Sequence, residues 1–308
     1  MRSPTVAGAT AVAPATIGNI AVGFDILGQS IDGPVDRVTV TRVAVPGVRI
    51  TAIDGEIPGV ATIPLDAVHN SAGRALVALV QAAGGEIGFE LTLTKGIPLA
   101  AGMGGSAASV VAALVAGNAL LDAPLERTAL YRFARAAEGH GDNVAPALLG
   151  GICLSTETDA IRVATDLDLW TAVVHPHFEL ETRVAREALA GPYTIADFVP
   201  QSANLALVLL GLARGERELV AAGLADGVVE PRRAPLIAGF AAVKAAALTH
   251  GALGASISGA GPSVFGWFDD RTSAARAGEA MAAAFAAAGH ASDIFLSRLN
   301  GPRAELVE

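Results

Sequence analysis

Residues 95–121 read KGIPLAAGMGGSAASVVAALVAGNALL. Just upstream, residues 86–95 (EIGFELTLTK) alternate apolar and polar side chains, the period-two pattern of a half-buried strand. After that strand Gly102, Gly104 and Gly105 crowd a short loop, and an uncharged helical pattern opens at Ser106. Glycine lets backbone N–H groups approach a ligand with no Cβ in the way, and a helix start adds unpaired donors and the positive end of the macrodipole. Strand, glycine loop and helix together make an anion cradle, for which phosphate is the natural guest. Taken alone, the loop fits a plain turn as well. It is not a Walker A loop, because no Gly-Lys-Ser/Thr follows the glycines. Lys95, just before the loop, reads as an exposed strand-end lysine, the alternative being an added positive charge for the bound anion. No charged residue occurs between 96 and 121, yet Pro98, the glycines, two serines and Asn118 break up an Ala-rich run whose apolar driving force is weak. A buried helix of a soluble protein fits it better than a membrane span.

Composition agrees. The chain has 308 residues, a net charge of -9 and 52% hydrophobic residues, enough for one large or two medium domains with a substantial core. The N-terminus carries neither a long apolar stretch nor an arginine-rich presequence, so the cytoplasm is the expected location. One cysteine, Cys153, excludes an internal disulfide or a cysteine metal cluster and reads as a small core residue. The acidic balance speaks against nucleic acid. It also repels an anionic substrate, so a bound nucleotide would need local donors and a divalent cation.

In chain order, residues 6–14 look extended and 37–45 (RVTVTRVAV) alternate as a strand. Between them Asn19 and Asp25 sit among small and apolar residues, where a buried carboxylate needs a partner; Asp25 fits a turn cap or a ligand contact. Helical periodicity runs from Asp66 to the glycine pair at 84–85 and again over 126–138. The second helix stops at GHGDNVAPALLGG, where Asp142, Asn143 and Pro146 enforce a turn. Glu138, at that helix end, is either solvated or one of the one or two carboxylates that hold Mg²⁺ beside phosphate oxygens; with His140 and Asp142 it makes no zinc site. Three short strands in succession, within 152–156, 160–165 and 169–176, suggest a second domain starting near Ile152. A helix from Glu179 carries Thr182, Arg183 and Arg186. Arg232 and Arg233 lie between two prolines, from where a guanidinium can meet a carboxylate in bidentate fashion. Gly259 and Gly261 form a tight turn between two strand-like runs, and a helix over 274–288 and a strand over 292–298 close the chain.

Four stretches in order resemble the motifs of the GHMP superfamily, the small-molecule kinases named for galactokinase, homoserine kinase, mevalonate kinase and phosphomevalonate kinase. PLAAGMGGSAAS is similar to its phosphate loop and SGAGPSVF to its C-terminal glycine motif; APATIGNIAVGFDILG and EGHGDNVAPALLGG resemble signatures of its homoserine kinases. The likeness spans about residues 11–265. It implies an α+β fold with an N-terminal ribosomal protein S5-like, ATP-binding domain (1–151), a C-terminal ferredoxin-like domain (152–308) and the active site between them. It implies ATP held by Pro98, Ala101, Gly102, Met103, Gly104, Gly105, Ser106 and Ala107, and Mg²⁺ held by Ser106 and Glu138. For L-homoserine it implies Asn19, Asp25, Asn143, Arg186, Arg233 and Gly259, with Thr182 and Asn143 beside the reacting hydroxyl. The reaction implied is in-line transfer of the γ-phosphoryl of ATP to that hydroxyl, a step of threonine biosynthesis that rests on positioning and charge neutralisation. Asn143 stands where several superfamily members have an aspartate base, so no general base is assigned. Met103 and Gly105 replace a usual leucine and serine, and Ile20, Ala21 and Val22 replace a usual Leu-Gly-Pro. The alternatives are a superfamily kinase acting on another small alcohol and a silent metabolite-binding regulator; a homodimer is compatible with the sequence. The residue chemistry favours an α-amino acid. Asp25 suits an ammonium and the arginines a carboxylate, at about 1.5–3 kcal/mol, or roughly tenfold to a hundredfold discrimination, per charged contact.

Overall fold

The structure, a computed structural model, describes residues 8–307. Its first half is a sheet built from β1 (Gly8–Gly18), β2 (Leu27–Val43), β3 (Gly47–Asp54) and β4 (Gly88–Thr94), with α1 (Ser71–Ala82), α2 (Gly105–Ala119), α3 (Arg127–Glu138) and α4 (Val144–Leu149). Strand order along the main path is β1-β2-β4-β3, with β3 and β4 parallel and the other pairs antiparallel. Residues 107–117 of α2 are all buried, which accounts for the absence of charge in that helix: it packs on β1 and β2 and is flanked by α1, α3 and α4. The uncharged run is thus the central core helix. Asn70 caps α1 by accepting from the N–H groups of Ala72 and Gly73. Of the extended segment expected over 6–14, β1 covers the part from Gly8; Val6 and Ala7 lie outside the described residues.

The change of sheet does not fall at Ile152, where the sequence pattern suggested a domain start. β5 (Ile152–Ser155) pairs with β2 in the register Leu27↔Leu154, and β6 (Ala160–Arg162) pairs with β5, so both belong to the first sheet. The second sheet begins with β7 (Trp170–Pro176). It continues through α5 (Thr182–Glu187), α6 (Ile195–Arg214), α7 (Arg217–Gly223), α8 (Glu230–Arg233) and α9 (Phe240–Thr249) to β8 (Gly254–Ile257) and β9 (Val264–Phe268). After α10 (Arg271–Ala287) come β10 (Ser292–Arg298) and β11 (Glu305–Val307). The order is β10-β7-β9-β8, all antiparallel, with α9 and α10 packed against it, while β11 returns to pair with β1.

One apolar cluster crosses between the halves, joining Ile17 and Leu27 to Val173, Phe265 and Trp267. Inside it the fully buried Gln29 donates to Thr171 Oγ1 at 3.0 Å and accepts from Trp267 Nε1 at 2.9 Å, so its polar atoms are satisfied across the two sheets. Cys153 is buried and its thiol is pushed up to about 12 by burial, which makes it a core residue rather than a nucleophile. Among the described helices, α6 alone has the length and apolar composition to cross a membrane. Its Gln201 and Asn204 are bonded to Asp226 and to the Ala225 carbonyl.

Candidate active site

The carbonyl groups of the glycine loop are all engaged away from one face. That of Ala100 accepts from Leu180 N (3.2 Å), Ala101 from Ser263 Oγ (2.7 Å), Gly102 from Ser258 Oγ (2.6 Å), Met103 from Thr16 N (3.0 Å), Gly104 from Ala108 N (2.9 Å) and Gly105 from Lys95 Nζ (2.8 Å). Within the described residues no acceptor takes up the N–H groups of residues 102–106. A planar trans peptide turns its N–H opposite to its C=O, so tying back six successive carbonyls presents a run of unpaired amides at the start of α2. Glycine is required at two positions. Gly102 has φ +72° and an added Cβ would lie 2.4 Å from Ser258 O; Gly104 has φ +67° and its Cβ would lie 1.9 Å from Thr16 Oγ1.

Lys95 is not an exposed strand-end residue. It is 3% exposed and forms an ion pair with the fully buried Asp36, which also accepts from Ser109 Oγ (2.6 Å) and from the N–H groups of Gly96 and Ile97 (3.1 and 3.2 Å). This satisfied network lies directly beneath the first turn of α2. A Cβ on Gly105 would sit 3.3 Å from Lys95 Nζ, so the ammonium crowds the place a serine side chain would occupy.

Ser106 Oγ donates to Glu138 Oε1 at 2.7 Å, with Ser71 Oγ 3.1 Å from it. α3 ends at Glu138 because Gly139 takes a left-handed conformation (φ +85°), and that stop delivers the carboxylate to the loop. A hydroxyl and a carboxylate side by side at the mouth of an amide cradle fit Mg²⁺, a hard cation that keeps few protein ligands.

The other side of the cavity is charged. Asn19 (φ +70°) donates to Gly259 O at 2.9 Å and accepts from the Asp25 N–H at 3.0 Å, pinning the first motif to the C-terminal glycine turn. Ile20, Ala21 and Asp25 also adopt positive φ, so this turn holds strain that the surrounding contacts stabilise. Asp25 meets Arg186 in a two-point pair at 2.9 and 3.0 Å, a hydrogen bond that raises the pKa of the guanidinium. Arg233 is only 2% exposed and is held by backbone carbonyls. Its Nε and Nη1 donate to the carbonyls of Ala185 (3.1 Å) and Gly259 (2.8 Å), and burial, then the nearby Arg186, lowers its pKa. Both guanidinium groups lie over the Phe24 ring, at 5.6 and 5.2 Å.

Asn143 is fixed as an amide, accepting from Thr16 Oγ1 at 2.8 Å and donating to Asp142 Oδ2 at 3.1 Å. The other oxygen of Asp142 is 2.6 Å from His140 Nδ1. Burial works against charge on His140, but the bond to Asp142 and the fields of Asp142, Asp25 and Glu138 prevail and leave its pKa raised. Ligand atoms of Asp25, His140 and Asp142 lie within 4.8 Å of one another.

Every residue implicated from sequence, from Asn19 and Asp25 through Pro98 to Ala107, Glu138, Asn143, Thr182, Arg186, Arg233 and Gly259, lines one cavity of about 320 Å³. The same cavity is lined by Asn70, His140 and Asp142, which sequence reasoning did not assign to it, and by Lys95, which it offered only as the second reading of a strand-end lysine. For His140 and Asp142 the signal was present, since both belong to the quoted turn motif. Asn70 carried only its position as a helix cap.

Residues 70–151 match the family model described as GHMP kinases N terminal domain, and residues 208–287 match GHMP kinases C terminal. The chain is 53% identical to a homoserine kinase of Xanthomonas campestris pv. campestris over 305 residues, covering 97% of this chain and 94% of that one. It is 51% identical to a homoserine kinase of Xylella fastidiosa, covering 99% and 96%. The crystal structure of homoserine kinase from Cytophaga hutchinsonii superimposes with a TM-score of 0.91 at 36% identity, covering 100% of this chain and 99% of that one.

Proposed function

The chain belongs to the homoserine kinases of the GHMP kinase family, and from that premise we propose that it transfers the γ-phosphoryl group of ATP to the side-chain hydroxyl of L-homoserine. The products are O-phospho-L-homoserine, on the route to threonine, and ADP. The observation that carries this reading is one cavity lined both by a glycine loop with its carbonyls tied back and by a carboxylate–guanidinium pair.

The loop amides of Gly102, Met103, Gly104, Gly105 and Ser106 bind the phosphate oxygens, with Pro98, Ala101 and Ala107 shaping the cradle. Ser106 and Glu138 hold Mg²⁺, which when bound neutralises charge on the phosphates. At the other side the amino acid exchanges partners with the Asp25–Arg186 pair: Asp25 takes the α-ammonium, and Arg186 with the remaining donors of Arg233 takes the α-carboxylate. A ligand carrying one of these charges frees one partner and leaves the other uncompensated, which favours a zwitterion over mevalonate or a sugar. Asn19 and Gly259 fix the turn that bears Asp25. Asn143 and Thr182 orient the reacting hydroxyl. Asn143 is an amide and cannot serve as a base; catalysis rests on alignment and charge neutralisation.

A cytoplasmic location and a homodimer belong to the same reading, the latter supported by the exposed Ile195, Phe198 and Val199 of α6; sedimentation velocity that finds only monomer overturns it. The substrate is tested by coupled ADP release across homoserine, mevalonate, shikimate and hexoses. Homoserine is expected to give a kcat/KM at least a hundredfold above any other. Another alcohol turned over better, or ATP bound with no ADP released from any of them, overturns the reading.

A further inference from the structure

His175 on β7 is 5% exposed and does not line the cavity, yet it is linked to the glycine loop through one side chain. Its Nδ1 lies 3.1 Å from Ser263 Oγ, and Ser263 Oγ lies 2.7 Å from the Ala101 carbonyl, which the Ser263 N–H approaches at 3.3 Å. The carbonyl can only accept, so the single hydroxyl proton of Ser263 goes to Ala101. His175 must then be the donor at Nδ1, which fixes its tautomer. Neutral imidazole is the form its burial favours, since desolvation depresses its pKa to about 4.

The consequence for the loop is geometric. Ser263 stands outside the cavity and Ala101 lines it, so a carbonyl drawn toward Ser263 leaves the Gly102 N–H of the same planar peptide facing the opposite way. Ser258 Oγ holds the next carbonyl, that of Gly102, at 2.6 Å.

We propose that His175, acting through Ser263, is a positioning residue for ATP: the relay His175 Nδ1–H to Ser263 Oγ–H to Ala101 C=O keeps the Gly102 amide turned toward the phosphates. The inference rests on the cradle reading given above. A hydrogen bond of this kind is worth about 0.5–1.5 kcal/mol, which corresponds to roughly two- to tenfold in affinity.

The test is binding of a fluorescent ATP analogue together with steady-state KM values in His175→Leu, His175→Asn, Ser263→Ala, Ser263→Thr and the His175→Leu/Ser263→Ala double variant. His175→Leu and Ser263→Ala are expected to weaken nucleotide binding about two- to tenfold with KM for the amino acid unchanged. His175→Asn, whose amide can donate near the Nδ1 position, and Ser263→Thr are expected to restore it. The double variant is expected to be no weaker than Ser263→Ala, because histidine acts only through the serine. Additive losses, or unchanged nucleotide affinity in a folded His175→Leu or Ser263→Ala protein, overturn the proposal; if His175→Leu does not fold, the Ser263 pair decides it. Ser106→Ala and Gly104→Ala serve as controls. If they too leave ATP affinity unchanged, the cradle reading itself fails; if they weaken it while the His175 and Ser263 variants do not, only the relay is wrong.

Discussion

Replacing Asp25 with asparagine removes one charge and almost no volume. The carboxylate makes two contacts with Arg186, at 2.9 and 3.0 Å, and their side chains are 31% and 41% exposed. In the free enzyme a half-exposed pair of this kind contributes about 0–1 kcal/mol, so the melting temperature of Asp25→Asn should stay within about two degrees of the parent. In the proposed complex the same carboxylate would meet the substrate ammonium in a charged hydrogen bond worth about 1.5–3 kcal/mol, and partial solvation argues for the lower half of that range. At about 1.4 kcal/mol per decade, kcat/KM for L-homoserine should fall roughly 10- to 30-fold. KM for ATP should not move, because among the described residues Asp25 is hydrogen-bonded to Asn19 and Arg186 rather than to the glycine loop. A second arm uses 4-hydroxybutyrate, which lacks the ammonium. In the parent its carboxylate competes with Asp25 for Arg186; in the variant Arg186 is released, so the preference for homoserine over the deamino analogue should shrink. Coupled ADP release with both alcohols reads all of this. A kcat/KM for homoserine within twofold of the parent would remove Asp25 from the substrate site.

Three further outcomes follow from the geometry. Gly102→Ala must fit a Cβ 2.4 Å from Ser258 O and 2.7 Å from Gly261 O at a φ of +72°, so ATP affinity should fall more than tenfold; titration with an ATP analogue at unchanged affinity contradicts this. Glu138→Gln keeps the hydrogen bond from Ser106 but loses the charge, and the Mg²⁺ concentration for half-maximal activity should rise at least several-fold; an unaltered Mg²⁺ titration excludes Glu138 as a ligand. Stability should fall in mild acid on account of His175, whose pKa drops from 6.5 to about 4 through burial, then through His177, against the opposing pull of Asp293. Between those values the unfolded chain binds a proton that the native chain refuses. Stability therefore rises with pH across this window, and the loss from pH 6.5 to 4 is on the order of 3 kcal/mol at about 1.4 kcal/mol per pH unit. Urea unfolding of the parent and of His175→Asn at several pH values measures it; equal slopes for the two proteins contradict the assignment.

The parts legible in sequence were those whose signal is local. A glycine run between an alternating strand and an uncharged helix is a pattern within one stretch, and α2 proved to be the central buried helix that its composition required. What escaped depends on partners far along the chain. Lys95 looked exposed because a strand-end lysine usually is; its partner Asp36 stands 59 positions away and only β2–β4 pairing brings them together. The strands at 152–162 looked like the opening of a new sheet, whereas β5 is in register with β2, more than a hundred residues earlier, and β6 follows by pairing with β5. That the Arg233 fork is oriented by the carbonyls of Ala185 and Gly259 was hidden, because backbone carbonyls carry no side-chain signal. The roles of Ser258 and Ser263 were hidden for the same reason, since their acceptors are backbone atoms of a loop about 160 residues upstream.

The most direct measurement is a crystal structure of the enzyme with a non-hydrolysable ATP analogue, Mg²⁺ and L-homoserine. The phosphates should lie against the amides of residues 102–106, the metal against Ser106 and Glu138, and the amino acid with its ammonium on Asp25 and its carboxylate on Arg186. Phosphates bound away from those amides, or an amino acid seated with the Asp25–Arg186 pair intact and untouched, would contradict the account.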